Sequence, residues 1–106
     1  MLTTQLGMEN TVACHLDRLT PGAGPLFIAG IRTECPNDSI TIATLNRYFR
    51  RQLLQIPAVQ SRVALECLCT SQDFGAWFSN FKQNVAPLLQ QFNLLEYCHG
   101  HTSHVA

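Results

Sequence analysis

A helical repeat of apolar residues near the C-terminus constrains the fold of this chain most. Apolar residues recur there in steps of four and three over three heptads, and Lys82 is the single charged residue within the span. This spacing is typical of an amphipathic helix that buries one side against another surface. We call the repeat the aromatic stripe, and it consists of Phe74, Phe78, Phe81, Val85, Leu88, Phe92 and Leu95.

Proline interrupts this helix at position 87. A proline inside a helix removes a backbone hydrogen bond and costs about 3 kcal/mol, so we expect a kink or break near Asn84 to Ala86. Pro87 would then open a second helix. Because the apolar spacing continues through the proline, both halves are expected to face the same surface. Thr70 or Ser71 is expected to cap the first half.

The composition favours association with other proteins. The 106 residues predict a single domain, with a loose arm at 1–10 and a polar tail at 98–106. Only 13% of the residues are charged, against roughly 25% in an average soluble domain, and the formal net charge is zero. Such a chain has no long-range field to attract nucleic acid or an anionic membrane, and it tends to self-associate. We expect a homodimer, a complex with another protein, or both.

Cysteine usage points to the cytoplasm. The five cysteines are an odd number, and no export signal precedes them. Reduced thiols in the cytosol are the simplest explanation. No apolar run approaches the ~20 residues that a membrane span needs.

The N-terminal half is predicted to form a β-hairpin. Residues alternate between apolar and polar over Thr11 to Asp17, and a short apolar run covers Leu26 to Ile31. The segment from Thr20 to Pro25 between them has the composition of a turn.

A helix is expected between the hairpin and Pro57. Asp38 or Ser39 can cap it, and one of its faces is apolar. Residues 58–70 fit either a helix or a strand, and we favour a third strand because a lone hairpin is only marginally stable. The predicted class is α+β, with a small sheet packed against two or three helices. The apolar face of the central helix consists of Ile42, Leu45, Phe49, Leu53 and Ile56.

The C-terminal tail holds four potential metal ligands within seven residues. Thiolate and imidazole are the ligands that zinc prefers, although structural sites usually draw their ligands from two separated segments. A metal-dependent module is therefore the alternative hypothesis, and a solvated tail without a cofactor is the favoured one. The four residues are Cys98, His99, His101 and His104.

No enzymatic constellation emerges from the sequence. Cys14 and His15 are adjacent, and on a strand adjacent side chains point to opposite faces. The chain has no glycine-rich phosphate loop and no nucleophile elbow. We therefore expect a protein that is not an enzyme.

Three arginines share an arc of the central helix: Arg47, Arg50 and Arg51. They fit a solvated face, a phosphate-binding surface or the rim of a protein interface. Zero net charge argues against nucleic acid.

The aromatic stripe and its edges are the predicted partner-binding surface. Pattern alone does not separate core from interface, but exposed Trp and Phe in a charge-poor setting are typical of binding hot spots. The predicted partner-binding residues are Phe74, Trp77, Phe78, Phe81, Leu88, Leu89 and Phe92, with the three arginines at the rim.

In its size, its apolar helical half and its lack of catalytic motifs, the chain resembles the small bacterial quorum-sensing anti-activators of the QslA-like kind. The resemblance extends loosely over the whole chain and transfers no individual residue. It implies a regulatory protein that binds the ligand-binding domain of a LuxR-type transcription factor and blocks its dimerisation.

Overall fold

The computed structural model describes residues 2–94, with side chains from residue 7 onward, and all regular secondary structure in this part of the chain is helical. Four separate helices are followed by a long C-terminal helix made of three consecutive segments. The first four are α1 (Leu2–Leu19), α2 (Ala23–Glu34), α3 (Ile42–Leu53) and α4 (Val59–Cys69). The C-terminal helix consists of α5 (Phe74–Asn80), a π-helical turn (Phe81–Val85) and α6 (Ala86–Gln91).

The predicted α+β class is wrong, because residues 2–94 contain no strand. The two segments of the expected hairpin lie in α1 and α2. Val12 and Leu16 are fully buried, as are Phe27 and Ile31, and each pair is four residues apart on one helical face. Strand alternation and a helical period both place Val12 and Leu16 inside, and they differ at Cys14, which is exposed, as the helix requires.

The expected third strand at residues 58–70 is also wrong. Ser61, Ala64, Leu65 and Leu68 are buried, which is the periodicity of a helix. Val59 and Val63, which with Cys67 have helical spacing in the sequence, lie on the exposed side of α4. The helix therefore has apolar residues on two faces, and this explains the ambiguity of the sequence.

The turn between α1 and α2 depends on Asp17 and two glycines. Gly22 has φ 91°, a left-handed conformation that favours glycine. The Asp17 carboxylate accepts hydrogen bonds from the backbone N–H groups of Gly22 and Gly24, at 2.9 and 3.3 Å. A Cβ at Gly24 would lie 2.7 Å from the carbonyl oxygen of Ala13, so this glycine lets α2 approach α1 closely.

The helix predicted before Pro57 is confirmed as α3, but with a different cap. Thr41 precedes it, and the Thr41 and Thr44 side chains each accept a hydrogen bond from the other residue's backbone N–H. This is a capping box. Neither Asp38 nor Ser39 caps the helix.

The C-terminal helix begins at Phe74, after an aspartate cap. The Asp73 carboxylate accepts from the backbone N–H of Ala76 at 2.8 Å, so Asp73 has the role expected of Thr70 or Ser71. Pro87 lies in the first turn of α6, as predicted. The expected kink or break takes the form of a π-helical turn just before it. That turn is one wide turn of a continuous helix, which keeps the apolar residues directed into the protein.

A single core fills the space between the helices. Its largest fully buried side chains are aromatic: Phe27, Phe49, Trp77 and Phe81. Phe49 of α3 is central, since its ring lies 5.5 Å from that of Phe27 and 4.9 Å from that of Phe81. The C-terminal helix thus packs onto α3 through aromatic contacts.

The N-terminal segment expected to be a loose arm is helical from residue 2 onward. Glu9 of α1 is buried and forms an ion pair with Arg32 of α2, which fixes this part of α1 to its neighbour. The tail expected at 98–106 lies outside the described residues. Among the described helices, none combines the length and apolar content that a membrane span requires.

Candidate protein-binding surfaces

Four of the predicted partner-binding residues belong to the core. Trp77, Phe81 and Leu89 are fully buried, and Leu88 is 8% exposed. The indole Nε1 of Trp77 also has an internal partner, the side-chain oxygen of Asn46 at 2.6 Å. These four side chains therefore lie beneath the protein surface and are not available to a partner.

The aromatic residues of α5 and the π-helical turn form a stack of four rings. Phe74 stacks on Trp77 and on Phe78, with centroid distances of 5.8 and 5.7 Å. Phe81 stacks on Trp77 and Phe78 at 5.4 and 6.1 Å. The ring planes within these pairs differ by 15° or less, so the rings are nearly parallel. Two rings of the stack are buried, and the other two are half-buried.

The two half-buried rings, Phe74 and Phe78, define a surface that we call the aromatic edge. The ammonium group of Lys82 lies 4.7 Å from the centroid of the Phe78 ring, a cation–π contact. The imidazole of His15, from α1, meets the Phe78 ring edge-on at 5.9 Å. The aromatic edge therefore combines accessible apolar area with a positive charge.

His15 has an environment that disfavours its protonated form. Burial lowers the pKa of His15 from its usual value of 6.5, and the positive charges of Lys82 and Arg18 lower it further. The imidazole beside the aromatic edge is therefore predominantly neutral at pH 7. The positive charge at the aromatic edge is therefore that of Lys82, and Arg18 adds a second positive charge near His15.

Phe92 is the remaining aromatic residue of the predicted set. It follows the last turn of α6 and is 43% exposed. Within the described residues it makes no ring contact with the four-ring stack. The structure therefore does not join it to the aromatic edge.

The three predicted arginines are exposed but point to different neighbours. Arg51 forms an ion pair of 2.9 Å with Glu34 of α2, and Arg47 lies 3.6 Å from the sulfur of Cys35. Arg50 instead reaches α4, where its guanidinium lies 3.6 Å from the sulfur of Cys69. The structure thus does not bring them together as one basic patch.

The outer face of α4 is a surface that the sequence analysis missed. Val59 and Val63 are 73% and 52% exposed, and Leu54, just before α4, is 67% exposed. Arg62 and Glu66 complete the face, and neither forms an ion pair with a described residue. We call Val59, Arg62, Val63 and Glu66 the α4 face. Their spacing of three, four and seven residues marks one side of a helix, which a firm helical assignment would have revealed.

Arg50 closes one side of a groove along the α4 face. The groove has a volume of about 360 Å³, and Leu65 and Cys69 contribute to its lining. A lining that combines apolar and charged side chains is typical of a protein interface.

The alternative metal site cannot be placed on this fold. Its ligands Cys98, His99, His101 and His104 lie outside the described residues. Within residues 2–94 no three His, Cys, Asp or Glu side chains come together as a set that could hold a metal ion.

Comparison with family models, with curated proteins and with solved structures found no match to this chain. The resemblance to QslA-like anti-activators therefore stays a prediction from the sequence.

Proposed function

We propose that this chain is a non-enzymatic regulatory protein of the cytoplasm that binds a partner protein through the aromatic edge. One observation carries the proposal: Phe74 and Phe78 reach the surface as members of a stack whose other two rings are buried.

Rigidity favours these rings as binding anchors. An interface residue that is mobile before binding loses conformational entropy when the complex forms, about 0.5–1.5 kcal/mol for a flexible side chain. Phe74 and Phe78 are each held by two neighbouring rings of the stack. They would therefore contribute apolar contact area at a low entropic cost, as hot-spot aromatic residues do.

The charges near the aromatic edge suggest the chemistry of the partner. Lys82 lies over Phe78, and Arg18 is the other cation that acts on neighbouring His15. A partner with an apolar side chain for the two rings and a carboxylate for Lys82 would match this surface. Electrostatic complementarity of this kind governs specificity and the association rate more than affinity.

The resemblance to QslA-like anti-activators adds a class of partner to the proposal. A LuxR-type transcription factor would then be held through its ligand-binding domain and kept from dimerising. An anti-activator of this kind needs only a stable surface that competes for the dimerisation face of its target.

Affinity capture with a matched pair of variants tests the proposal. Phe78→Ala removes an anchor from the aromatic edge, whereas Phe92→Ala makes the same chemical change away from the ring stack. Wild-type chain and both variants would be used to capture proteins from extracts of the source cells. The affinity of each purified candidate would then be measured by calorimetry.

We expect Phe78→Ala to weaken binding of the true partner by at least ~1 kcal/mol, about fivefold, and Phe92→Ala to leave it nearly unchanged. Equal binding by all three proteins would contradict the proposed surface. If the partner is a LuxR-type factor, sedimentation should also show its dimer converted into a complex with this chain.

A further inference from the structure

The α4 face has features that the proposed function does not use. It lies on α4, whereas the aromatic edge lies on α5 with His15 of α1. It carries two of the four large apolar residues that are exposed within the described residues, Val59 and Val63. Their aliphatic side chains are more than half exposed although the opposite side of the same helix is buried in the core.

We propose that the α4 face binds a second copy of this chain, with the two α4 helices antiparallel about a two-fold axis that passes beside Val63. The inference is independent of the proposed partner-binding function, because it concerns different residues.

The proposal follows first from the order of charges along α4. A two-fold dimer uses the same patch on both subunits, so the patch must complement itself. Arg62 and Glu66 have opposite charges, are one helical turn apart and are not in an ion pair with any described residue. A surface for an acidic or a basic partner would more often carry charges of one sign.

The spacing of these residues suits an antiparallel pair. With the axis beside Val63, the two Val63 side chains meet at the centre of the interface. Each Arg62 then lies within one turn, a rise of about 5.4 Å, of the partner subunit's Glu66. The long side chain of each Arg62 can span that offset. The dimer would then have two symmetry-related ion pairs next to an aliphatic centre.

Arg50 contributes to the same groove. Its guanidinium lies 3.6 Å from the sulfur of Cys69 and adds a second positive charge to the groove near the C-terminal end of α4. The formal net charge of zero favours the association, since two copies do not repel each other at long range.

Sedimentation equilibrium of the full chain tests the proposal. A reducing agent must be present because Cys14 and Cys69 are free and exposed, so that a disulfide-linked dimer cannot form. We expect a reversible dimer of twice the 11.8 kDa chain mass. A wild-type chain that stays monomeric up to millimolar concentration would overturn the inference.

Charge reversal tests the orientation of the two helices. With Arg62→Glu both charged positions of the α4 face are glutamates, and with Glu66→Arg both are arginines. Each variant alone should therefore have a dimer dissociation constant at least tenfold higher than that of the wild type. Mixed in equal amounts, the two variants should form a heterodimer, because both ion pairs are restored, one with its original polarity and one with reversed polarity. Gln91→Glu, an exposed position on α6 that does not line the groove, is the control for an added glutamate and should dimerise normally.

Three results would each overturn the proposal. They are retention of the wild-type dimer by both single variants, failure of the mixture to form a heterodimer, and a loss of dimer with Gln91→Glu as large as the loss with Arg62→Glu. Circular dichroism of each variant checks that it is folded, which we expect because all three substituted positions are exposed.

Discussion

The indole Nε1 of Trp77 donates a hydrogen bond of 2.6 Å to the side-chain oxygen of Asn46. This bond joins α5 to α3 across 31 residues of sequence and satisfies the polar atom of a fully buried side chain. An indole N–H without a partner would carry a desolvation penalty of about 1–3 kcal/mol. Asn46 therefore allows the largest aromatic residue of the chain to lie in the core.

Trp77→Ala should destabilise the protein severely. Replacing a buried tryptophan by alanine removes its contacts and leaves a cavity, at a cost of about 3–5 kcal/mol. The free energy of unfolding, measured in urea, should fall by that amount. Phe78→Ala serves as the control, since a half-buried ring should cost no more than about 1.5 kcal/mol. Similar losses for the two variants would contradict the division between core and aromatic edge.

Asp17→Ala should destabilise the turn between α1 and α2. The Asp17 carboxylate accepts from two backbone N–H groups at the start of α2, where Gly22 offers no capping side chain. Loss of such a cap costs about 1 kcal/mol. Asp38→Ala removes an exposed aspartate whose side chain has no described partner, and it should cost less than about 0.5 kcal/mol. Chemical denaturation of both variants checks the difference, and equal losses would show that Asp17 does not act as a cap.

Stability should decrease as the pH falls below the usual pKa of histidine, and His15 should account for part of the loss. Burial and the charges of Lys82 and Arg18 lower the pKa of His15 in the folded protein below 6.5. Between the folded and unfolded pKa values the unfolded chain binds more protons, so the free energy of unfolding falls with pH through that range. Above 6.5 the contribution is fully present.

Urea denaturation at several pH values, with wild type and His15→Gln compared, isolates this contribution. The three other histidines are present in both proteins, so their effects cancel in the difference. The wild type should lose more stability than the variant between pH 7.5 and pH 5. Parallel losses would refute the lowered pKa.

Long periodic segments of the sequence predicted their structure well, and short ones did not. The spacing around Phe49 and Phe81 continues over several turns, which only a helix accommodates, and both regions are helical. Val12 and Leu16 fall in a window of seven residues, where helix and strand both bury this pair and differ only at the small side chain of Cys14 between them, which is exposed. Assigning the all-helical class required choosing between helix and strand in such short segments. Tertiary packing determines that choice, and the local pattern does not.

The candidate surfaces were predictable only in part. Phe78 and Trp77 are neighbours in the sequence and both aromatic, yet one is half-buried and the other fully buried. The difference depends on Asn46 and Phe49 of α3, which pack against Trp77 and lie far from it in the sequence. The exposure of Val59 and Val63 was equally unpredictable, because α4 has two apolar faces and its sequence does not show which of them is buried in the core.

Photo-crosslinking at position 78 tests the central claim most directly. A photoreactive phenylalanine analogue would replace Phe78 in one protein and the exposed Asn10 in a control, each produced in the source cells and irradiated there. If the aromatic edge binds a partner protein, the analogue at position 78 should yield a defined covalent adduct with another polypeptide, and the analogue at position 10 should not. The absence of any adduct at position 78, or the same adduct from both positions, would contradict the account.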